Sequence, residues 1–434
     1  MNFQKICVLG LGYIGLPTAS TFATNGLKVT GVDVNPQVVE ILRSGGLHIH
    51  EPGLRTLVQA AISSGNLSVS LQPEPADAFI IAVPTPFYAD KRADLSYVTG
   101  AAEAVVPHLR PGNLVVLEST SPPRTTQDIL VPILERSGLK AGTDFYLAYS
   151  PERVLPGQIL RELIENARVI GGITRASAQA GAELYRIFVR GEVIETDATT
   201  AEMVKLMENT YRDVNIAIAN EFARLAERFG IDVWEAIALA NRHPRVEILR
   251  PGPGVGGHCI SVDPWFLVEA APDLTPLILA SRNVNDSQPH FVLDIVRRAL
   301  GLDSPAGLAG KRIAALGLAY KPDVDDLRES PAIEVVHLLA QAGASVIAFE
   351  PYKLEPGLPG IQAAPTLEAA IAGADLLLLL VAHQPFRQLD PLQVASLTPA
   401  RLLVDAVGVC PTPAWQAAGF QVHRLGASTH QALQ

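Results

Sequence analysis

The densest chemistry in the sequence lies in NRHPRVEILRPGPGVGGHCISVDPWF, residues 241–266, where glycines and prolines crowd around Cys259. A loop of that composition lets backbone approach a ligand closely. A reactive cysteine needs partial exposure and an electropositive surround, which the nearby Arg245 and Arg250 could supply. Asp263, in the same stretch, could orient a water. Taken alone, these facts fit a structural cysteine equally well. His258 is a candidate base or ligand, although a lone histidine is more often structural. Zinc finds little support, since one cysteine with one adjacent histidine lacks a spaced ligand set. Upstream, Lys205 and Asn209 stand at i, i+4 and share a helix face. Their ammonium and amide could stabilise a developing oxyanion, or the pair could be a solvated face.

A second cluster reads as a phosphate cradle. GLGYIG contains Gly10, Gly12 and Gly15, with Tyr13 and Ile14 inside the turn, directly after an apolar run and before an amphipathic one. The first glycine permits the tight turn, the second lets backbone reach a pyrophosphate, and the third lets helix and strand pack closely. The helix N-terminus adds N–H donors and a positive dipole end. Asp33 ends the next strand, where an acid accepts from a ribose 2′-hydroxyl and repels a 2′-phosphate, so NAD is expected over NADP. AVPTPF, with Pro84 and Thr85, and ESTSPP, with Thr120, fall where strand ends should meet the cofactor. They also fit ordinary strand exits. Near the C-terminus, KPDVDDLRES puts Lys321 and Arg328 after Gly317, where a full glycine fingerprint is missing. Side-chain charge could hold a phosphate there, or the stretch could be a surface cluster with internal Asp–Arg pairing.

These residues need elements to position them. The 434-residue length suggests about three domains. Apolar and charged residues at 48% and 18% give a globular profile. A net charge of -10 argues against a nucleic-acid or anionic-membrane surface, while leaving room for a local basic pocket. The three cysteines, Cys7, Cys259 and Cys410, make no disulfide framework. With no secretory signal or spanning run in view, a cytosolic protein is expected.

Residues 1 to about 150 alternate apolar runs with amphipathic stretches, as βα units on a parallel sheet do, and a further mixed region to about 195 closes a first domain, 1–198. Strands are expected at Lys5–Leu9, Lys28–Val32, Ala78–Ala82, Leu114–Leu117 and Phe145–Ala148. From Thr199 helical spacing runs without glycine or proline to Gly230, predicting one long helix and then shorter ones to residue 301. Such a helix suits a bridge between domains and a contact with a symmetry mate, or it could be a plain core helix. A linker is expected at Leu302–Gly310. Beyond it, strands at Arg312–Leu316, Ser345–Phe349, Leu376–Val381 and Leu402–Asp405 predict a second α/β domain over 302–434. The expected fold class is α/β: two Rossmann-like parallel-sheet domains joined by a long central helix in a helical domain, 199–301.

In this order, GLGYIGLP, AVPTPF, ESTSP, PERVLPG, the Lys205–Asn209 helix, GGHC with Asp263, and KPDVDDLRESP resemble the UDP-glucose/GDP-mannose dehydrogenase family over essentially the whole chain. The resemblance implies an NAD-dependent, four-electron oxidation of a sugar C6 alcohol to a carboxylate. Cys259 would capture the aldehyde as a thiohemiacetal and then a thioester. Lys205 and Asn209 would stabilise the C6 oxyanion, and Asp263 with Thr120 would hold and activate water. Glu152, with Arg153 and Val154, would line the substrate loop. Lys321 and Arg328 would contact the UDP and Gly256 would face substrate, while Arg245 and Arg250 are candidates for the nucleotide or the N-acetyl sugar. ERVLPGQ, NRHPRV and PGPGVGGHCISVDPWF look most like members acting on UDP-N-acetyl-D-mannosamine, with UDP-N-acetylglucosamine or UDP-glucose as alternatives. A homodimer is implied through the long helix, with no nucleic-acid, membrane or metal partner. The rival readings are a two-electron dehydrogenase, which leaves the cysteine loop unexplained, and a non-catalytic nucleotide-sugar sensor.

Overall fold

The computed structural model describes residues 3–49, 51–302 and 307–427. By its contacts the chain forms two compact units. One comprises Met1–Glu208 with Trp265–Pro272, and the other Asn209–Pro264 with residues 273–434. The stretch 199–301 is therefore shared between the two. Part of the expected linker, residues 303–306, lies outside the described residues.

The first unit holds a sheet of strands β1 (Lys5–Leu9), β2 (Lys28–Val32), β3 (Leu67–Ser70), β4 (Ala78–Ile81), β5 (Leu114–Leu117), β6 (Tyr146–Tyr149), β7 (Arg168–Gly172) and β8 (Val193–Asp197). Their order is β3-β2-β1-β4-β5-β6-β7-β8. All neighbours pair in parallel except β6 with β7. β1, β4 and β5 are apolar and buried almost throughout, as strands covered on both faces must be. The order reverses between β1 and β4, which opens the crevice where doubly wound sheets take ligands.

The second unit repeats the plan with β9 (Arg312–Leu316), β10 (Ser345–Phe349), β11 (Gln362–Ala363), β12 (Leu376–Leu379), β13 (Leu402–Asp405) and β14 (Gln421–Arg424), ordered β11-β10-β9-β12-β13-β14 and parallel throughout. The two Rossmann-like sheets of the sequence reading are thus both present. A helix of 32 residues, Ala198–Phe229, runs unbroken as its spacing predicts. Gly230, in a left-handed conformation (φ 75°), ends it. Among the described residues no helix is long and apolar enough to cross a membrane.

The two sheets match in detail at their central crossover. Gly10 N–H donates to Val32 O at 2.8 Å, and Gly317 N–H to Phe349 O at 2.9 Å. Asp33 accepts from Leu11 N–H at 3.0 Å. At the corresponding place Glu350 accepts from Leu318 N–H at 2.7 Å and Ala319 N–H at 3.0 Å. Glu350 is 2% exposed and also accepts from His383 Nε2–H at 3.0 Å. His383 Nδ1 in turn accepts from Asp323 N–H at 2.8 Å, which fixes the tautomer. Burial works to raise the Glu350 carboxyl, but the His383 bond and the backbone donors hold it below its ordinary value.

The glycine turn after β1 leaves no slack. A Cβ on Gly15 would lie 1.8 Å from Gly10 O, whereas one on Gly12 would meet nothing within 4 Å. Gly15→Ala should therefore cost about 3 kcal/mol or more, read as a lowered urea midpoint, while Gly12→Ala should leave the midpoint unchanged and weaken NAD binding.

Candidate active site

The turn after β1 has the open space and the helix start that a dinucleotide needs. Gly12 is exposed, with open space where its side chain would be. Tyr13 and Ile14 are half-buried, and the helix Gly15–Thr24 begins directly after them. Asp33, also half-buried, splits its oxygens between Leu11 N–H and Asn35 N–H. The two expected loops are joined: Ser119 Oγ donates to Val83 O at 2.7 Å, beside Pro84 and half-buried Thr85. Past Pro86 the chain turns back through a bridge from Phe87 to Ala93, and Lys91 Nζ lies 4.3 Å from the Phe87 ring centre.

Beneath these loops the first unit buries a charged cluster of which the sequence pointed only to Glu152. Arg168, 4% exposed at the start of β7, donates to Glu152 at 3.1 Å, to Ser150 at 2.8 Å and to Glu118. It also lies 3.9 Å from the Tyr185 ring centre, and the Tyr185 hydroxyl donates to Glu118 at 2.6 Å. One guanidinium thereby joins the PERVLPG loop to the strand end that carries Thr120. Arginine suits this role because its fork serves several acceptors at once. Arg153 has a different partner, Glu208, at 2.7 Å. Val154 packs against the apolar core. The one available signal was a charged residue opening an otherwise apolar run, ARVIGG.

Burial is the first cause that lifts the Glu118 carboxyl, from its ordinary 4.5 to about 7, against the pull of Arg168. Between those values the unfolded chain has released the Glu118 proton while the folded chain keeps it. The contribution is therefore present below pH 4.5 and lost as pH rises toward about 7. Unfolding midpoints in urea at several pH values should fall across that window for the wild type and flatten in Glu118→Gln.

The second unit carries the cysteine. Cys259 is exposed, whereas Cys7 and Cys410 are buried, and burial pushes the Cys7 thiol up to about 11. The Cys259 carbonyl accepts from Val262 N–H at 3.0 Å and Asp263 N–H at 2.8 Å, so the cysteine sits on the turn that opens the helix Asp263–Ala270. Asp263, 2% exposed, accepts from Asn209 Nδ2 at 2.5 Å. Two residues singled out for chemistry are thus bonded to each other. Lys205, 8% exposed, sits one turn before Asn209 on the long helix. A solvated face, the plainer reading of that pair, is excluded by their burial.

The loop before Cys259 is pressed flat by its neighbours. A Cβ on Gly257 (φ +86°) would stand 2.7 Å from the Tyr320 ring, and one on Gly256 would stand 2.3 Å from Glu329 O. Burial first, then Asp326 and Cys259, raises the Tyr320 hydroxyl to about 12. His258 keeps exposed surface, yet the atoms packed round its ring, and next the Arg328 charge, hold its pKa below the ordinary value. It is therefore neutral at pH 7. Arg328 makes a two-pronged bond with Asp326, at 2.8 and 2.6 Å, so the internal Asp–Arg pairing is realised. Lys321 Nζ lies 5.7 Å from the Tyr320 ring centre. Arg245 is exposed, with its backbone N–H directed to His243 Nδ1 at 3.4 Å.

Three models of the UDP-glucose/GDP-mannose dehydrogenase family match in succession: the NAD binding domain over residues 4–189, the central domain over 199–287 and the UDP binding domain over 314–412. The chain belongs to that family. It is an NAD-dependent UDP-sugar dehydrogenase, an oxidoreductase. An NDP-N-acetyl-D-galactosaminuronic acid dehydrogenase of Ralstonia solanacearum is 49% identical over 94% of this chain and 97% of its own. A UDP-N-acetyl-D-mannosamine dehydrogenase of Methanococcus maripaludis is 46% identical over 98% and 97%. Among solved structures, the UDP-D-ManNAc dehydrogenase of Pyrococcus horikoshii superposes with a TM-score of 0.89 at 40% identity, covering 98% of this chain and 99% of that one.

Proposed function

We propose that the enzyme oxidises the C6 alcohol of UDP-N-acetyl-D-mannosamine to the carboxylate in two hydride transfers, with Cys259 as covalent nucleophile. The observation that carries this reading is the Cys259–Asp263 turn. It joins an exposed thiol to a buried carboxylate that is bonded to the Asn209 amide. NAD, held by Gly10, Gly12, Tyr13, Ile14, Gly15 and Asp33 with Pro84, Thr85 and Thr120, supplies the hydride acceptor. Lys205 and Asn209 stabilise the C6 oxygen as charge develops there. The Cys259 sulfur adds to the aldehyde carbon, and the second oxidation leaves a thioester. Water, oriented by Asp263 and Thr120, then releases the acid and returns the thiol. Glu152, Arg153, Val154, Arg245, Gly256, Lys321 and Arg328 complete the substrate contacts, with Arg328 exchanging its Asp326 partner for phosphate.

On this reading residues 1–198 hold the cofactor, 302–434 hold the UDP, and 199–301 carry the reacting groups. The substrate follows the Methanococcus and Pyrococcus relatives, while the Ralstonia name favours a different N-acetylhexosamine as the second reading. An exposed thiol beside buried, unpaired cysteines suits the reducing cytoplasm.

We further read the long helix as a homodimer contact. Tyr211, Ile218, Phe222, Leu225 and Phe229 are 67%, 38%, 40%, 46% and 70% exposed. At helical spacing they form one apolar stripe. Light scattering on the purified protein should give twice the chain mass, and Phe222→Glu should give the monomer mass.

The decisive assay is NADH released per sugar consumed, with UDP-N-acetylmannosamine, UDP-N-acetylgalactosamine, UDP-N-acetylglucosamine and UDP-glucose offered separately. About two NADH are expected with the mannosamine sugar, as the thioester route requires, and no uronate from Cys259→Ser. Unaltered uronate from Cys259→Ser would sink the mechanism. About two NADH from another sugar alone would replace the substrate and keep the chemistry.

A further inference from the structure

We infer that Asn220, Asn285 and Gln288 are positioning residues that fix the cysteine loop through both polar groups of one peptide residue, Gly252. The inference rests on the reading of Cys259 as the nucleophile and adds the device that aims it.

The loop Arg250–Cys259 reaches the reacting sulfur by way of Pro251-Gly252-Pro253. Neither proline has an N–H to donate, so Gly252 carries the only backbone donor of that triplet. Gly252 N–H donates to Asn220 Oδ1 at 2.9 Å, and Gly252 O accepts from Gln288 Nε2 at 2.9 Å. The residue is gripped at both its N–H and its C=O by neutral amides. Asn220 on the long helix and Gln288 on the helix Gln288–Ala299 are both 0% exposed.

An isolated amide can turn over and exchange its donor and acceptor ends. These cannot, because a charge stands at each end of the chain. Asn220 Nδ2 donates to Asn285 Oδ1 at 2.9 Å. Asn285 Nδ2 donates to Asp213 Oδ1 at 2.8 Å and to Asp213 O at 3.0 Å. A carboxylate only accepts, so Asn285 must present its NH₂ to Asp213 and its oxygen to Asn220. Asn220 is thereby left with an oxygen for Gly252 N–H. At the other end Arg224 Nε donates to Gln288 Oε1 at 2.8 Å. A guanidinium only donates, so Gln288 is left with its NH₂ for Gly252 O. Polarity runs one way from Arg224 to Asp213, and the Gly252 peptide is a link in it. Asp213 is itself held by Arg282, and both are nearly inaccessible, at 0% and 1% exposed.

The loop is also closed by shape. A Cβ on Gly254 would meet Pro331 at 2.9 Å and Asn285 O at 3.1 Å, and the Gly256 and Gly257 contacts with Glu329 and Tyr320 continue the wall. A loop rich in glycine would otherwise carry large backbone entropy. Here the polar chain and the wall remove it before substrate arrives, which is how a displacement of an ångström at sulfur is avoided.

The test uses the full chain, with Asn220→Ala, Asn285→Ala and Gln288→Glu. The last keeps the size and the Arg224 partner, and sets a carboxylate oxygen against Gly252 O where the amide donated. Each variant is assayed with whichever UDP-sugar the wild type oxidises, alongside NAD binding by titration and amide hydrogen exchange over residues 250–262. The expected result is kcat lowered about ten- to hundredfold, with KM and NAD affinity within about threefold. Exchange should be faster in the 250–262 segment and unchanged over β1–β6. Wild-type kcat with unchanged loop exchange would overturn the inference. So would a loss of kcat matched by lost NAD affinity and faster exchange throughout, since that is general destabilisation. Should Asn220→Ala fail to fold, Gln288→Glu decides alone. Cys259→Ser separates the two readings: if it still makes acid while the variants loosen the loop, the nucleophile assignment fails and the clamp stands.

Discussion

A buried amide and a buried carboxylate, Asn209 and Asp263, meet at 2.5 Å, and the proposed active region is arranged around that bond. An ionised carboxylate out of water costs several kcal/mol unless donors surround it. Asp263 has the Asn209 NH₂ and stands first in its helix, where the backbone dipole favours negative charge. The donor must come from a helix whose own position is not negotiable, and thirty-two uninterrupted residues provide that. The Cys259 turn hydrogen-bonds into the same helix start. Sulfur, carboxylate and amide therefore share one mechanical reference, and the loop upstream has only to arrive correctly.

The same economy governs the other buried charges. Arg168 serves Glu118 and Glu152, and Arg282 serves Asp213. None of these groups is worth much as a source of stability, because desolvation consumes most of the attraction. Their value lies in direction: each guanidinium fixes which atoms of its neighbours face the loops above. Apolar residues placed there would pack as well and would orient nothing.

Much of this fold could be read from the chain because its central strands are apolar on both faces. β1, β2, β5, β9, β10 and β13 lie where their runs of Val, Ile, Leu and Ala put them. The strands that escaped notice are mostly edge or short ones, such as β8, β11 and β14, whose exposed positions break the apolar run. β7 escaped for another reason: its glycines and Arg168 disguise a fully buried strand. At the site, Cys259, Asp263 and the glycine turn announce themselves by residue type and spacing. Asn220, Asn285 and Gln288 do not, since a lone amide inside a helix has no spacing to recognise, and only the fold brings the three to one peptide.

The buried Glu350 bears on how the reaction is timed. The second sheet repeats the crossover of the first, down to the acid beside its glycine, yet that acid is shut inside with His383, out of reach of any ligand at the surface. On the proposed chemistry the chain then has one berth for a nicotinamide and two hydrides to deliver. The first reduced carrier must leave and a fresh one arrive while the half-oxidised sugar waits. A bond to sulfur, if Cys259 is the nucleophile proposed, is what lets it wait: the tether works as a memory, keeping the unfinished molecule through an interval in which the enzyme holds no oxidant.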